Sequence, residues 1–455
     1  MESNRYIRRN KHLFYIISAF HSLLTVFLSL LSFGKNRRRL ALHPSLWRGR
    51  GKLSFTLFLL CITFFTSCKD NEADNIDEYN KQTILVYLPW SGDNQNTGLY
   101  NIFLQNIDSI KSGIIKQKGL KSSRLVIFIS HSAQQSELYE IKYEHNQFKK
   151  VPIKEYSGNF YTHPEGIAQI INDTKNAAQA LNYAMIIGCH GTGWTYKDSW
   201  NQYPYYAKLY FYTRAKRTTP LPHTRFFGSV NDYNNYATNI DDLAKGIKLS
   251  HTKLQYLLFD DCYMANIETA YTLRKATNFL IASTSEIMSI GMPYAQLWSS
   301  LATPTPQYEN ITKLFYDFYS HYDYPYGSLA AIDCREVEAL AHIMHTINQQ
   351  YSFPENMRDS LQILDGFSPT IFYDLGNYVD ILCPNKALKE QFNQQLNKVV
   401  RSKQSTKIIY TGIALNGTSF INVKSFSGLT TSAPSLHIAP RRGLQRTEWW
   451  KATHK

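Results

Sequence analysis

From residue 83 onward, short apolar runs alternate with stretches in which apolar residues recur every three or four positions. Residues 83–88 form a continuous apolar run that stops at the turn cluster Pro89-Trp90-Ser91-Gly92-Asp93-Asn94. A run this short, bounded this way, predicts a buried strand. Leu99, Phe103, Ile107 and Ile110 then fall on one helical face. Residues 125–129 predict a second buried strand. Tyr139, Ile141 and Tyr143 alternate with Glu140, Lys142 and Glu144, the pattern of a half-exposed hairpin arm. Ile167, Ile170, Ile171, Ala178 and Leu181 predict a helix leading into an apolar strand at 183–188. Residues 195–235 are crowded with Tyr, Lys, Arg and Pro and have no period, so a long surface excursion is expected there. The rhythm resumes with a helix at 240–247 and a strand at 254–259. Helical patterns follow at 311–322, 337–351 and 388–400, and strand-like runs at 407–414 and 420–423.

Alternation of buried strands and amphipathic helices predicts an α/β protein, an α/β/α sandwich with a mostly parallel central sheet. The expected organisation is a main body at 82–300 and a C-terminal α/β part at 301–455 packed on it. There is no internal repeat.

The first 67 residues change the picture of charge. The 455-residue chain carries a formal net charge of +14. Eleven Lys and Arg against the single acid Glu2 precede Cys68, so ten of those fourteen charges lie outside the body. A phosphate-gripping domain needs its charge clustered on the folded surface, so nucleic-acid binding is excluded. Residues 1–67 read as targeting. Arg48, Arg50 and Lys52 precede an apolar run at 53–65, and Thr66-Ser67 places small residues before Cys68. Cys68 is therefore expected to be lipidated and to begin the mature chain, anchoring it to a lipid bilayer. An ordinary signal peptide or a membrane helix with an incidental cysteine is the alternative. The earlier apolar run at 13–33 is redundant with this signal, and residues 1–50 are expected to be translated upstream sequence. Residues 68–81, acidic and polar at first, form a tether. The other four cysteines, Cys189, Cys262, Cys334 and Cys383, are widely spaced and suggest neither a disulfide framework nor a zinc site.

Two of the predicted buried strands end in reactive residues. One opens into Cys189-His190-Gly191-Thr192-Gly193-Trp194 and the other into Asp260-Asp261-Cys262. In a parallel sheet both termini lie at the carboxyl edge, where such folds place their sites. A thiol needs a base to become a nucleophile, and an imidazole can take its proton and return it to a leaving amine. Met264, Ile267 and Tyr271 predict a helix after Cys262, whose N-terminal dipole would favour a thiolate. Gly191 lets the backbone approach closely, so its N–H and that of Cys262 are candidates for an oxyanion hole. Taken singly, a cysteine or histidine at a strand end is more often a packing residue.

These residues together resemble the clostripain family of cysteine peptidases, relatives of caspases, gingipains and legumain. His190, Gly191, Gly193 and Trp194 match the family's His-Gly-x-Gly-Trp, and Asp260, Cys262, Met264, Glu268 and Tyr271 match its cysteine motif. Gly92-Asp93-Asn94, Phe227-Gly228, Asp374-Leu375 and Gly428-Leu429-Thr430 resemble further landmarks, so the likeness spans roughly residues 82–450. It implies a caspase-like core, a His190/Cys262 dyad and cleavage after Arg or Lys in protein or peptide substrates. Asp260 matches a position at the family's first specificity pocket, with capping of the following helix as the alternative; Glu286 is a weaker candidate for a second pocket acid. Two positions depart from the pattern: Asp261 stands where a small residue is usual, and Cys189 where Ser is commoner. The lipobox before Cys68 resembles the relaxed Bacteroidetes form, implying an outer-membrane or cell-surface lipoprotein. The family also implies a nick between the two motifs, with Lys216 and Arg217 as candidate sites, and sometimes calcium, for which no EF-hand loop is present. No other cofactor is implied. The alternative function is a catalytically silent surface lipoprotein that uses the same scaffold to bind a ligand.

Overall fold

Five adjacent parallel strands form the centre of the computed structural model, which describes residues 80–92, 98–200, 236–322, 325–414, 417 and 419–455. In chain order the first elements are β1 (Gln82–Leu88), α1 (Tyr100–Lys116), β2 (Ser123–Ser132), β3 (Gln135–Glu144) and β4 (Gln147–Ser157). Then come α2 (Pro164–Ala177), β5 (Asn182–Ile187), α3 (Ile240–Leu249), β6 (Leu254–Phe259), α4 (Ile267–Leu273) and β7 (Thr277–Ala282). The chain continues with α5 (Tyr294–Leu301), α6 (Tyr308–Ser320), β8 (Ser328–Asp333) and α7 (Val337–Gln350). The last part holds β9 (Tyr373–Asp374), α8 (Leu375–Leu382), α9 (Lys386–Val399), β10 (Val400–Ser405), β11 (Ile408–Tyr410) and β12 (Phe420–Asn422). β13 (Thr430–Thr431), α10 (Ile438–Gly443) and α11 (Glu448–His454) close the chain. Cys68, the targeting segment and the candidate cleavage sites Lys216 and Arg217 lie outside the described residues.

The main sheet has nine strands in the order β10-β8-β7-β6-β5-β1-β2-β3-β4. β2, β1, β5, β6 and β7 are parallel, while β8 and β10 on one side and β3 and β4 on the other run antiparallel to their neighbours. Burial on both faces explains why the central strands read as unbroken apolar runs. All seven residues of β1 are buried. Alternate side chains feed two cores. Leu85, Tyr87, Met185, Ile187, Leu257 and Phe259 face α2, α3, α4, α7 and α9. Val86, Leu88, Ile186 and Leu258 face α1, α5 and α6. Each fully buried Leu, Ile or Val contributes about 1.5–3 kcal/mol, so this double layer dominates the fold's stability.

Residues beyond 301 are part of this architecture. β8 and β10 complete the central sheet, and the described residues belong to one compact unit at 75–455. The expectation of a surface excursion beginning at residue 195 is corrected at its start. Thr195, Tyr196 and Ser199 are buried. Tyr196 donates to Asp241 at 2.7 Å, and the Trp200 ring packs on Phe367 and His437 with centroids 5.7 and 5.3 Å away. Polar and aromatic residues without a period can still be core when their partners come from distant segments. Residues 201–235, the rest of the expected excursion, are outside the described residues.

Candidate active site

The carboxyl ends of β5 and β6 bring the histidine and cysteine motifs together. Their parallel register pairs Ile187 with Phe259, and the Asp260 N–H extends the ladder by donating to Ile187 O at 2.8 Å. Beyond that point a side chain continues the ladder: Asp261 Oδ1 accepts from the Cys189 N–H at 2.5 Å. Gly191 lies directly against the cysteine. A Cβ there would meet Cys262 O at 2.6 Å and Cys262 N at 3.2 Å, so only glycine permits this approach. Gly193 has a left-handed φ of +63° and packs against Phe372 and Asn266. The Asp261 departure from the family pattern thus has a structural role, tying the residue before His190 to the residue before Cys262.

Cys262 is fully buried, and its Sγ accepts a hydrogen bond from the Ile287 N–H at 3.1 Å. The thiol in turn points to Ile287 O at 3.8 Å, so the Ile287 backbone meets the sulfur with both its N–H and its carbonyl. The helix expected just after the cysteine begins later. Tyr263 takes a left-handed φ of 64°, and α4 starts only at Ile267, with Asn266 as its N-cap accepting from Thr269 N at 2.7 Å. Left-handed backbone costs a non-glycine residue about 1–3 kcal/mol, so the turn after Cys262 must be held by its surroundings. Tyr263 N donates to Ser285 O at 2.9 Å, and its ring stacks on Phe372 with centroids 5.1 Å apart.

Asp260 does not cap α4, since Asn266 does. It is buried and accepts from the Tyr294 hydroxyl at 2.8 Å, on the same side of the sheet as Cys262. Glu286, the weaker candidate for a second pocket acid, is buried. Its carboxylate accepts from the Tyr263 and Thr411 hydroxyls at 2.8 and 2.5 Å and from Gly412 N and Ile413 N at 3.0 and 3.3 Å. It anchors the C-terminal segment to the cysteine turn.

The landmarks Asp374-Leu375 and Gly428-Leu429-Thr430 converge on the same place, while Asp93-Asn94 and Phe227-Gly228 lie outside the described residues. Trp194 Nε1 donates to Ser432 Oγ at 3.0 Å, and Thr430 N donates to Ala265 O at 3.0 Å. Glu268 Oε1 accepts from Thr431 Oγ1 and Ser432 N at 2.9 and 3.0 Å. Burial pushes its carboxyl up to about 7. Asp374 caps α8 by accepting from Asn377 N at 2.9 Å, and it also receives Ser427 N at 2.5 Å.

A cleft opens beside this junction, lined by Trp90, Gly92, Cys189, His190, Gly191 and Asp261 among others. Cys189 is half-buried and faces it, whereas Cys262, Cys334 and Cys383 are buried; all four are free thiols. The sequence reading missed three members of this site: Asp261 as a tie, Tyr263 as a strained turn and Ile287 as the donor to sulfur. A carboxylate beside the cysteine was a visible signal for the first. A backbone N–H from residue 287 leaves no mark in sequence.

With two motifs meeting at one sheet edge, comparison with known proteins becomes decisive. The Clostripain family model matches residues 89–426, which contain both motifs. The chain belongs to the Clostripain family. Members of the Clostripain family are cysteine proteases, and this chain is an enzyme of that class. A secreted C11 cysteine protease from Bacteroides thetaiotaomicron, called iotapain, is 39% identical; the match covers 83% of this chain and 99% of that one, with a TM-score of 0.72. An inactive zymogen C11 protease from Parabacteroides distasonis shares the fold at 24% identity and a TM-score of 0.66, covering 83% of this chain and 99% of its own. A second secreted C11 protease from Bacteroides thetaiotaomicron, in complex with an irreversible peptide inhibitor, shares the fold at 18% identity and a TM-score of 0.64. Its match covers 82% of this chain and 99% of that one. No curated protein matches the chain.

The Clostripain family resemblance also suggested calcium. Among the described residues no group of three or more His, Cys, Asp or Glu side chains is placed to hold a metal ion. No step of the chemistry is routed through one.

Proposed function

We propose that the chain hydrolyses peptide bonds after Arg or Lys, with Cys262 as nucleophile and His190 as general acid and base. The observation that carries this reading is the contact of Gly191 with the Cys262 backbone, which seats the two motifs side by side. His190 takes the thiol proton, and the thiolate attacks the substrate carbonyl carbon, forming the C–S bond. The N–H groups of Gly191 and Cys262 meet the oxyanion. Collapse breaks the C–N bond as the His190 imidazolium protonates the leaving amine. His190 then draws a proton from water, whose attack on the thioester releases the acid and restores the thiol.

Asp260 gives the preference for a basic residue. It lies two residues before Cys262 and on the same side of the sheet, and a buried carboxylate there would pair with a guanidinium or ammonium. The enzyme is secreted as a lipoprotein anchored through Cys68 at the outer membrane or cell surface and cuts itself near Lys216 or Arg217. A secreted relative from Bacteroides supports export.

The complete burial of the Cys262 thiol favours a second reading, a silent scaffold that binds a ligand. One experiment separates the two. Purified protein is incubated with a peptide library beside Cys262→Ala and His190→Ala. Cleavage after Arg or Lys by the unaltered chain alone supports the peptidase. Cleavage retained by either variant removes the dyad, and a folded but inert unaltered chain favours the scaffold.

A further inference from the structure

We infer that Glu286 is a positioning residue for Cys262, the buried group that holds the catalytic turn and the donor to its sulfur in one arrangement. The inference rests on Cys262 being the nucleophile.

Three observations meet at this carboxylate. Tyr263, immediately after the cysteine, sits at a left-handed φ of 64°, and its hydroxyl donates to Glu286 Oε1 at 2.8 Å. Ser285, immediately before Glu286, accepts the Tyr263 N–H at 2.9 Å, and Ile287, immediately after it, donates its N–H to Cys262 Sγ at 3.1 Å. Residues 285–287 therefore grip the cysteine turn by backbone on both sides of Glu286 and by side chain at Glu286 itself. The same carboxylate receives Thr411 Oγ1, Gly412 N and Ile413 N. These partners come from a segment more than 120 residues downstream, and they fix where the carboxylate stands.

A left-handed tyrosine persists only where its surroundings over-determine it. The hydroxyl bond to Glu286 and the stack on Phe372 supply that constraint. Loss of the carboxylate releases the Tyr263 ring and the 411–413 segment together, and the sulfur then drifts from the Ile287 N–H. Substrate contacts made by other residues survive. The expected signature is thus a fall in turnover with little change in substrate affinity.

The sharpest variant is Tyr263→Phe, which keeps the ring and its stack and removes only the hydroxyl. Glu286→Gln is the stronger perturbation, and Thr411→Ser, which keeps a hydroxyl donor, is the conservative control. Each is assayed on an Arg-containing fluorogenic peptide for kcat and KM. Iodoacetamide alkylation is followed by peptide mass, so that Cys262 and Cys189 are counted separately. Tyr263→Phe should lower kcat about tenfold, the worth of one buried hydrogen bond, with KM within about twofold and with slower alkylation at Cys262 alone. Glu286→Gln should lower kcat further, and Thr411→Ser should stay near wild type. Folded Tyr263→Phe protein with unchanged kcat and unchanged Cys262 alkylation overturns the inference, whatever Glu286→Gln does. Activity surviving in Cys262→Ala would instead remove the underlying nucleophile assignment, so the two failures are distinguishable.

Discussion

Replacement of Glu268 by Gln should make the protein's stability much less sensitive to pH. Glu268 is fully buried at the start of α4, where Oε1 accepts from Thr431 Oγ1 and Ser432 N while Oε2 has no partner among the described residues. Desolvation of this carboxylate pushes its pKa from the ordinary 4.5 to about 7, against the opposing hydrogen bonds. Between these two values the folded state holds a proton that the unfolded state has released. Stability must then fall as pH rises through that window, with the full loss present above it. The gap corresponds to about 3 kcal/mol. Asp365, pushed from 3.8 to about 7 by its own burial, acts in the same direction but is common to both proteins and cancels in a difference. The Gln amide oxygen can still accept from Thr431 and Ser432, and it never ionises. Urea unfolding of wild type and Glu268→Gln at pH 5 and pH 8 gives the two differences in unfolding free energy. Because pH 5 already lies above the unfolded value, the Gln variant should gain about 2.5 kcal/mol relative to wild type between the two pH values. A difference that is the same at both pH values refutes a raised carboxyl at this site.

Other predictions address the Asp261 tie, the specificity and the processing. Asp261→Ala strips the Cys189 N–H of its acceptor and should cost about 1–3 kcal/mol in thermal or urea unfolding, whereas Asp261→Asn keeps an acceptor oxygen and should recover most of it; an unaffected Ala variant would show that the tie carries no energy. Asp260→Ala should lose about 2–4 kcal/mol of transition-state binding for Arg and Lys peptides while sparing neutral ones, read as ratios of kcat/KM. Equal losses on both substrate types would remove Asp260 from the specificity pocket. Incubated alone, the protein should be cut once between residues 197 and 225, near Lys216 or Arg217, and Cys262→Ala should remain intact; a Cys262→Ala chain that is cut equally well rules out self-cleavage.

The parts of the fold that were legible in sequence are those governed by local periodicity. β1, β5 and β6 are unbroken apolar runs because neighbours cover them on both faces, and α6, α7 and α9 fall within a few residues of their apolar spacing. That the His190 and Cys262 loops share one sheet edge followed from strand polarity, and the pairing of β5 with β6 makes them neighbours. What stayed hidden depends on distant partners. Met264 fits a helical spacing with Ile267 and Tyr271, yet Asn266 captures the Thr269 N–H and starts the helix later, and Tyr263 takes a left-handed turn. Residues 195–200 lack any period because they pack on Asp241, Phe367 and His437 rather than on one face of a regular element. The sequence offered Glu286 only as a weaker candidate pocket acid, and its closure by Thr411, Gly412 and Ile413 comes from a distant segment.

Which thiol attacks the substrate is the point on which the account stands. Two cysteines lie at the junction of the motifs: Cys189, which precedes His190 in the chain and whose half-buried side chain lines the cleft, and Cys262, whose backbone lies against Gly191 and whose sulfur is buried against the Ile287 N–H. A peptide ending in Arg and carrying an irreversible thiol-reactive group at its carboxyl end would mark the nucleophile covalently, and mass spectrometry of the digested adduct would locate it. The account predicts a single adduct on Cys262, absent from His190→Ala. An adduct on Cys189 would contradict it.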